Sequence, residues 1–199
     1  MRILIFTLTL LLGAQQLTAQ SWSDLLKKTA TEAVDKLTGG QLTEHAINAT
    51  WNYTEPAVRL ESSNALSEVG SLAIESTVTP KLTTAYSIVG IKSGAASFIF
   101  NEGKSFTANL GRAKNLSGSY TFDPTSHTIT LNFASGRFKL GKISGKAYIS
   151  GSELQLVFPV TKLVDLVTTL GSSIGSLKTI ATLLERYDEA YLGFAFTKQ

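Results

Sequence analysis

Residues 97–158 alternate between apolar and polar side chains in a series of short segments, and this alternation constrains the fold more than any other feature of the chain. Turn-forming stretches such as Asn101–Lys104 and Asp123–Ser126 interrupt it about every 8–12 residues, a spacing typical of meanders, sandwiches and barrels. The connections are too short for parallel crossovers, which need about a dozen residues. Each strand is therefore expected to pair with the next, and closure into an up-and-down barrel would remove both unpaired edges.

Segments with apolar residues at helical spacing surround these predicted strands. A helix at residues 21–37, a helical insertion at 60–90 and helices at 162–186 are expected. Within the insertion, Thr79 and Pro80 are predicted to begin a new helix, with Thr79 as its cap and Pro80 at its first position. The helix at 21–37 has two interpretations: it packs on its own domain, or it binds a membrane surface or a partner. Its polar face carries both charge signs, which favours packing on its own domain.

Two further strands complete the predicted sheet. Thr50–Tyr53 is a short strand that is expected to end at Pro56, and residues 191–197 alternate again and are expected to close the barrel against it. The predicted fold is mainly β, an antiparallel up-and-down barrel with N-terminal, inserted and C-terminal α-helices. It forms a single domain over residues 20–199, with the β-meander at 97–158.

The first 19 residues have the features of a secretory signal peptide. Arg2 supplies the positive end, Ile3–Leu12 is an apolar run of ten residues, and Leu17–Ala19 fits a cleavage site. A short membrane anchor is the alternative, but the run is well below the ~20 residues needed to span a bilayer. The mature protein is therefore expected in the periplasm or outside the cell, without a membrane-spanning segment. It would also have no lipid anchor, because the chain has no cysteine to carry one.

Composition and motifs argue against several classes of function. The formal net charge of +3 comes without a basic cluster, so nucleic-acid binding is not expected. The absence of cysteine excludes disulfides, thiolate nucleophiles and cysteine-ligated metals. His45 and His127 have no second ligand at metal-binding spacing and are predicted to be surface residues. No nucleophile elbow of the Gly-x-Ser-x-Gly type occurs. The sequence thus predicts no catalytic residue, no metal site and no cofactor.

Aromatic residues on the predicted strands are the strongest candidates for a site. Those that could line the barrel interior are Phe98, Phe100, Phe106, Tyr120, Phe122, Phe133 and Phe138. In a small barrel such side chains either fill the interior or enclose one small ligand, and the sequence leaves both possibilities open. The residues predicted to bind a small apolar ligand are Trp51, Phe106, Tyr120 and Phe133.

Five stretches taken together resemble a known type of protein. They are residues 49–58, 97–106, 116–123, 177–187 and 192–194. The chain resembles a lipocalin-like family of exported proteins from gut Gram-negative bacteria, from about Trp22 to Lys198. The resemblance implies a lipocalin-like barrel with added helices, and no established activity comes with it.

The wider lipocalins carry a Gly-x-Trp motif on the first strand and an arginine near the last strand, against that tryptophan. In this sequence Trp51 matches the tryptophan, Ala49 stands at the glycine position, and Lys198 is the basic residue near the last strand. The resemblance to the wider lipocalins is therefore partial.

Two functional hypotheses follow, with an enzyme ranked third. The first is an exported, non-enzymatic protein that binds a small apolar ligand in the barrel. The alternative is a structural or protein-interaction module of the cell envelope, with a filled barrel and helices at 21–37 and 163–186 that dock a partner. Exposed apolar stripes on those helices would favour the alternative, and buried stripes would weaken it. An enzyme would require a cleft with convergent titratable side chains.

Overall fold

The computed structural model describes residues 35, 40–61, 67–135, 138, 140–171, 175–184, 187 and 189–199. The predicted leader at 1–19 and the predicted helix at 21–37, apart from the helical residue Asp35, lie outside the described residues. In the described part the strands are β1 (Thr50–Glu61), β2 (Ser97–Phe100), β3 (Ser105–Leu110), β4 (Ala113–Asp123), β5 (Thr128–Ser135), β6 (Lys142–Ser150), β7 (Glu153–Pro159) and β8 (Glu189–Lys198). The helices are α1 (Gln41–Ala46), α2 (Ser67–Ile88), α3 (Val160–Gly171) and α4 (Gly175–Leu184).

The eight strands form a closed antiparallel barrel in which each strand pairs with the next along the chain. β8 closes the ring against β1, from Trp51 opposite Lys198 to Glu61 opposite Glu189. The predicted fold class, an antiparallel up-and-down barrel with added helices, is confirmed. Because β1 and β8 pair with each other, neither of these first and last strands leaves an unpaired edge.

β1 is longer than its sequence indicated. The prediction that Pro56 ends this strand is wrong, because β1 continues to Glu61. The ladder with β8 shifts register between Tyr53 and Glu55, and the register with β2 covers only Thr50 to Asn52. Pro56 therefore lies just beyond a bulge, where β2 is no longer paired, and its missing N–H removes no hydrogen bond to that strand.

α2 is one continuous helix with Pro80 in its interior. The prediction that Thr79 and Pro80 begin a new helix is wrong. An interior proline costs about 3 kcal/mol or more, but the helix buries side chains on both sides of it, including Val78 before it and Leu82 after it. This burial stabilises the helical path through the proline, which local sequence signals alone would have broken.

Aromatic rings lie over the small residues of the barrel wall. A Cβ atom added to Gly118 on β4 would collide with the carbonyl oxygen of Asn132 and would lie 3.1 Å from Cε1 of Phe106. One added to Gly145 on β6 would collide with the carbonyl oxygen of Val157 and would lie 2.6 Å from Cδ1 of Phe158. The backbone of the neighbouring strand and the rings together therefore leave no room for a larger side chain at these two positions. Large and small residues on neighbouring strands thus interdigitate across the interior.

The C-terminal ends of α2 and α3 meet across one end of the barrel. α3 begins directly after β7, and a Cβ added to its last residue, Gly171, would collide with the side chain of Val89. The carbonyl oxygen of Val89 in turn accepts a hydrogen bond of 3.0 Å from the backbone N–H of Arg112, in the turn between β3 and β4. Since α4 packs against both α2 and α3, these helices cover the barrel end from β7 across to the β3–β4 turn.

Candidate functional site

The four residues predicted to bind a ligand all lie inside the barrel. Trp51 is on β1, Phe106 on β3, Tyr120 on β4 and Phe133 on β5, and none is more than 9% exposed. The ring centroids of Phe106 and Phe133 are 5.0 Å apart in an edge-to-face arrangement. The structure therefore brings the predicted residues into one interior, where β-strand alternation placed them, while a role for them in ligand binding stays a prediction.

Phe98 and Phe100 on β2 connect these residues. Phe98 is the cross-strand partner of Trp51, and its ring lies 5.9 Å from that of Phe106. Phe100 lies 5.0 Å from Tyr120 in an edge-to-face contact. Of the other aromatic residues expected to line the barrel, Phe122 and Phe138 are only partly buried at its margins. The interior cluster is thus made mostly of rings that contact other rings, an arrangement that contributes about 0.5–1.5 kcal/mol per pair beyond area burial.

The polar atoms of this cluster are already used within the chain. Trp51 Nε1 donates a hydrogen bond of 2.7 Å to the carbonyl oxygen of Ile47, and the Tyr120 hydroxyl donates one of 2.8 Å to Oδ1 of Asn48. Both acceptors lie in the short connection between α1 and β1. These two bonds tie that connection across the second end of the barrel, and they leave the cluster mainly apolar surface for contacts with any other molecule.

A second aromatic group lies where α2 meets the barrel. Tyr86 of α2 is fully buried, with its ring 4.9 Å from Phe194 of β8 and 6.3 Å from Tyr53 of β1. Its hydroxyl donates a hydrogen bond of 2.9 Å to the carbonyl oxygen of Gly193. The periodicity of the sequence placed Phe194 and Phe196 on one face of the last strand and Tyr86 on the apolar stripe of the inserted helix, but none of the three was among the residues predicted to line the barrel. Local periodicity could not predict that they meet, because Tyr86 and Gly193 are 107 positions apart in the sequence.

Burial raises the pKa of the interior tyrosines Tyr53, Tyr86 and Tyr120. Burial raises the pKa of Tyr86 well above its ordinary value, with the neighbouring Tyr53 as a second cause. Burial, followed by the charge of Glu55, raises the pKa of Tyr53. The pKa of Tyr120 is also raised, by burial and then by Glu44. The interior phenols are therefore neutral hydrogen-bond donors at neutral pH and are poorly suited to act as bases.

Alkaline pH is expected to weaken the fold through Tyr86. A phenol whose pKa is raised by folding contributes stability that is complete below its unfolded pKa of about 10 and is lost as the pH rises towards the folded pKa. Tyr86→Phe removes the bond to Gly193, at a cost of about 1–3 kcal/mol in unfolding free energy, and does not titrate. We expect urea unfolding over a pH series to show that the difference in unfolding free energy between wild type and variant becomes smaller above about pH 10. A difference in unfolding free energy that does not change with pH would contradict the interpretation of Tyr86 as a buried neutral phenol.

Access to water distinguishes one part of the interior from the rest. Trp51 and Phe106 have no exposed surface, and Tyr120 has almost none. Among the buried residues of the described core, Phe133, at 9%, and Ile143, at 8%, are the most exposed, and they lie where β5 ends and β6 begins. These two side chains are therefore the part of the buried core that solvent reaches most easily.

A polar cluster lies outside the barrel wall, beside α1. Both carboxylate oxygens of Asp35 accept hydrogen bonds from Thr43, one from its backbone N–H at 3.0 Å and one from its hydroxyl. The Thr43 hydroxyl oxygen also accepts a bond of 3.2 Å from the backbone N–H of Ile149 on β6. His127 approaches Asp35 Oδ2 with Nδ1 at 3.7 Å and stacks on Tyr148 at 4.9 Å. The cluster holds the chain before α1 against β6 and the β4–β5 turn.

The two histidines differ in their surroundings. His45 is exposed, as predicted, whereas His127 is half-buried and its Nδ1 is fully buried without a hydrogen bond among the described residues. The prediction of a surface position is therefore wrong for His127. The reason is that Asp35 and Tyr148, both remote in sequence, pack around it.

Within the described ranges, no three His, Asp or Glu side chains come close enough together to hold a metal ion. Among the same residues, none of the helices is both long and apolar enough to cross a lipid bilayer.

Comparisons with known proteins bear on the barrel as a whole. A family model described as a lipocalin-like domain, DUF4923, matches residues 23–198. The crystal structure of a DUF4847 family protein from Bacteroides vulgatus is similar to the chain with 15% sequence identity and a TM-score of 0.40, and the match covers 79% of this chain and 99% of that one. No curated protein matches the chain.

Proposed function

The chain belongs to the lipocalin-like domain family DUF4923, and from this premise we propose that it is an exported, non-enzymatic module of the Gram-negative cell envelope with a filled barrel. Its barrel is a rigid scaffold, and its binding function lies on the outer surface. Export is supported by the signal-like residues 1–19, and the bacterial envelope by the resemblance of the sequence to exported proteins of gut Gram-negative bacteria.

The observation that carries this proposal is the packing of the barrel interior. Phe106 and Phe158 lie over Gly118 and Gly145, where an empty calyx would have free volume. Trp51, Leu116 and Ala147, on three separate strands, have no surface that a water molecule can reach. A ligand in the lumen would have to displace these side chains, at the cost of their contacts with each other.

The outer surface offers a broad polar face to a partner. Outward side chains of β3 to β6 are largely hydroxyls and amides, including Thr107, Ser119, Thr121 and Asn132. The apolar stripes of α3 and α4, in contrast, are buried against their own domain, which weakens the hypothesis that these helices dock a partner. We therefore place the interaction surface on the outer face of β3 to β6, where a partner would bind through hydrogen bonds to these side chains.

Native mass spectrometry on protein purified from its own host tests this proposal first. The expected result is a single mass that corresponds to a chain without its first 19 residues and without a bound small molecule. A discrete additional mass that disappears on denaturation would contradict the filled barrel. A mass that retains the leader would contradict export by a cleaved signal.

A titration with an apolar fluorescent probe provides the matched test in solution. The wild-type protein is expected to show no saturable binding. The Phe106→Ala variant is the positive control, because deletion of a buried ring leaves a dry apolar cavity of the kind that binds small aromatic molecules. Saturable one-to-one binding to wild type would favour a calyx.

The second candidate function is binding of a small apolar ligand in the barrel, and the exposure of Phe133 and Ile143 favours it. These side chains could form the entrance to a cavity that opens when a ligand binds. If so, Phe133→Ala would change the affinity for an apolar probe, whereas Ser119→Ala, on the outer face of β4, would not. Equal affinities in both variants and wild type would argue against an entrance at this position.

A further inference from the structure

Three small residues on the outside of the barrel are buried as deeply as the interior. Ala57 on β1, Val157 on β7 and Ala195 on β8 are at most 5% exposed and form a cluster separate from the main core. Strand alternation places them outside, because their neighbours Leu156 and Phe194 point inward. An outward side chain on a barrel is exposed to solvent unless something lies over it, so this outer strip, defined as Ala57, Val157 and Ala195, must be covered.

Aromatic and basic side chains border the strip. The rings of Tyr148 and Tyr191 pack against it and are themselves only partly buried. Arg59 places its guanidinium carbon 3.7 Å from the centre of the Tyr148 ring. Gly193 lies between Ala57 and Val157 in the ladder, and a Cβ there would collide with the backbone of β7. The strip therefore has small residues at its floor and larger side chains around it, and such a surface allows a helix to approach closely between them.

We propose that the N-terminal segment of this same chain, residues 22–34, covers the outer strip. Asp35 directly follows this segment, and its bonds to Thr43 place it near His127, which stacks on Tyr148 at the β6 border of the strip. Asp35 therefore lies close to the border of the strip. This inference does not depend on the proposed function of the barrel.

The length and the pattern of the segment fit the strip. From β6 across β7 and β8 to β1 is three strand spacings, about 14 Å, and a helix over residues 22–34 would be about 20 Å long. The apolar residues Trp22, Leu25, Leu26, Ala30, Ala33 and Val34 share one face at helical spacing. The acidic residue Glu32 could then reach Arg59 at the edge of the strip, where charge complementarity would fix the register.

Single-cysteine labelling of the mature protein tests the proposal without background, because the natural chain contains no cysteine. A thiol reagent is expected to react roughly tenfold or more slowly with Ala195→Cys than with Ser119→Cys, which is on the exposed outer face of β4. Adding Leu26→Asp is expected to bring the Ala195→Cys rate close to that of Ser119→Cys. Lys28→Asp, on the opposite face of the predicted helix, is the matched control and is expected to leave Ala195→Cys protected.

Three results would overturn the proposal. One is equal labelling of Ala195→Cys and Ser119→Cys in the wild-type background. Another is protection that depends on protein concentration, which would identify a second copy as the cover. The third concerns Ala147→Cys, whose thiol would lie inside the barrel. If both Leu26→Asp and the milder Leu26→Ala raised the labelling rate of this thiol as much as that of Ala195→Cys, the whole barrel would have loosened. The segment would then stabilise the barrel as a whole and would not be a separate cover. A rise confined to Ala195→Cys in either variant supports the proposal.

Discussion

Replacing Phe106 by alanine is expected to lower the free energy of unfolding by about 3–5 kcal/mol. The ring has no exposed surface, contacts the rings of Phe98, Phe100 and Phe133, and covers Gly118. Because Gly118 has no side chain that could move into the space, the surrounding structure can collapse only in part, which places the cost towards the upper end of the range. Urea denaturation of both proteins measures the difference.

Ile99→Ala is the control for this substitution. Ile99 is on the adjacent strand β2, but its side chain points outward and is 39% exposed. Its loss is expected to cost less than about 1 kcal/mol, since surface substitutions rarely change stability by more. If Phe106→Ala cost no more than Ile99→Ala, the interior would hold space that the ring does not need to fill. The proposal of a filled barrel would then give way to the calyx hypothesis.

Replacing Gly111 by alanine is expected to destabilise the protein by about 1–3 kcal/mol more than the same change at Gly151. The two glycines have nearly the same φ, +60° and +61°, so the strain of a left-handed alanine is common to both. At Gly151 an added Cβ meets no atom within 4 Å, whereas at Gly111 it would collide with the carbonyl oxygen of Val89. The difference in unfolding free energy between the two variants therefore measures the effect of the close approach of the end of α2 to the β3–β4 turn.

Thermal or urea unfolding of the two glycine variants measures this contact. A larger loss for Gly111→Ala is expected because the backbone of α2 would have to move, and with it Gly171 of α3, which packs against Val89. Equal losses would mean that the helices do not press on this end of the barrel. The barrel mouth would then be accessible, and a ligand could enter from the side of α2 and α3.

Phe106→Ala tests whether the barrel interior is filled, and Gly111→Ala tests whether the helices close one end of the barrel. A filled and closed interior is the property that separates the two functional hypotheses. A lipocalin-like fold is compatible with a lumen that holds a ligand and with a lumen that is filled. In this protein, rings pack against Gly118 and Gly145, and the helices cross one end of the barrel. The connection after α1 is tied across the other end by Trp51 and Tyr120. These contacts are the reason to look for function on the outer surface.

Alternation along the chain by itself determined the strands, their antiparallel pairing and the inward direction of Trp51, Phe106, Tyr120 and Phe133. It could do so because the side-chain period of a strand is a local property, and short turns leave little choice of partner. Helical spacing likewise predicted which residues of α3 and α4 are buried, since an amphipathic helix turns one stripe towards the core. Both predictions rest on interactions between residues close in sequence.

Only the tertiary structure decided how those residues meet. The passage of α2 through Pro80 and of β1 past Pro56 depends on contacts that offset a local penalty, and local signals predicted a break at each. The position of Tyr86 against Gly193, and of His127 against Asp35, joins residues more than ninety positions apart. Whether the barrel is filled was likewise undetermined, because ring packing over Gly118 and Gly145 depends on the register of closure, which no single strand encodes.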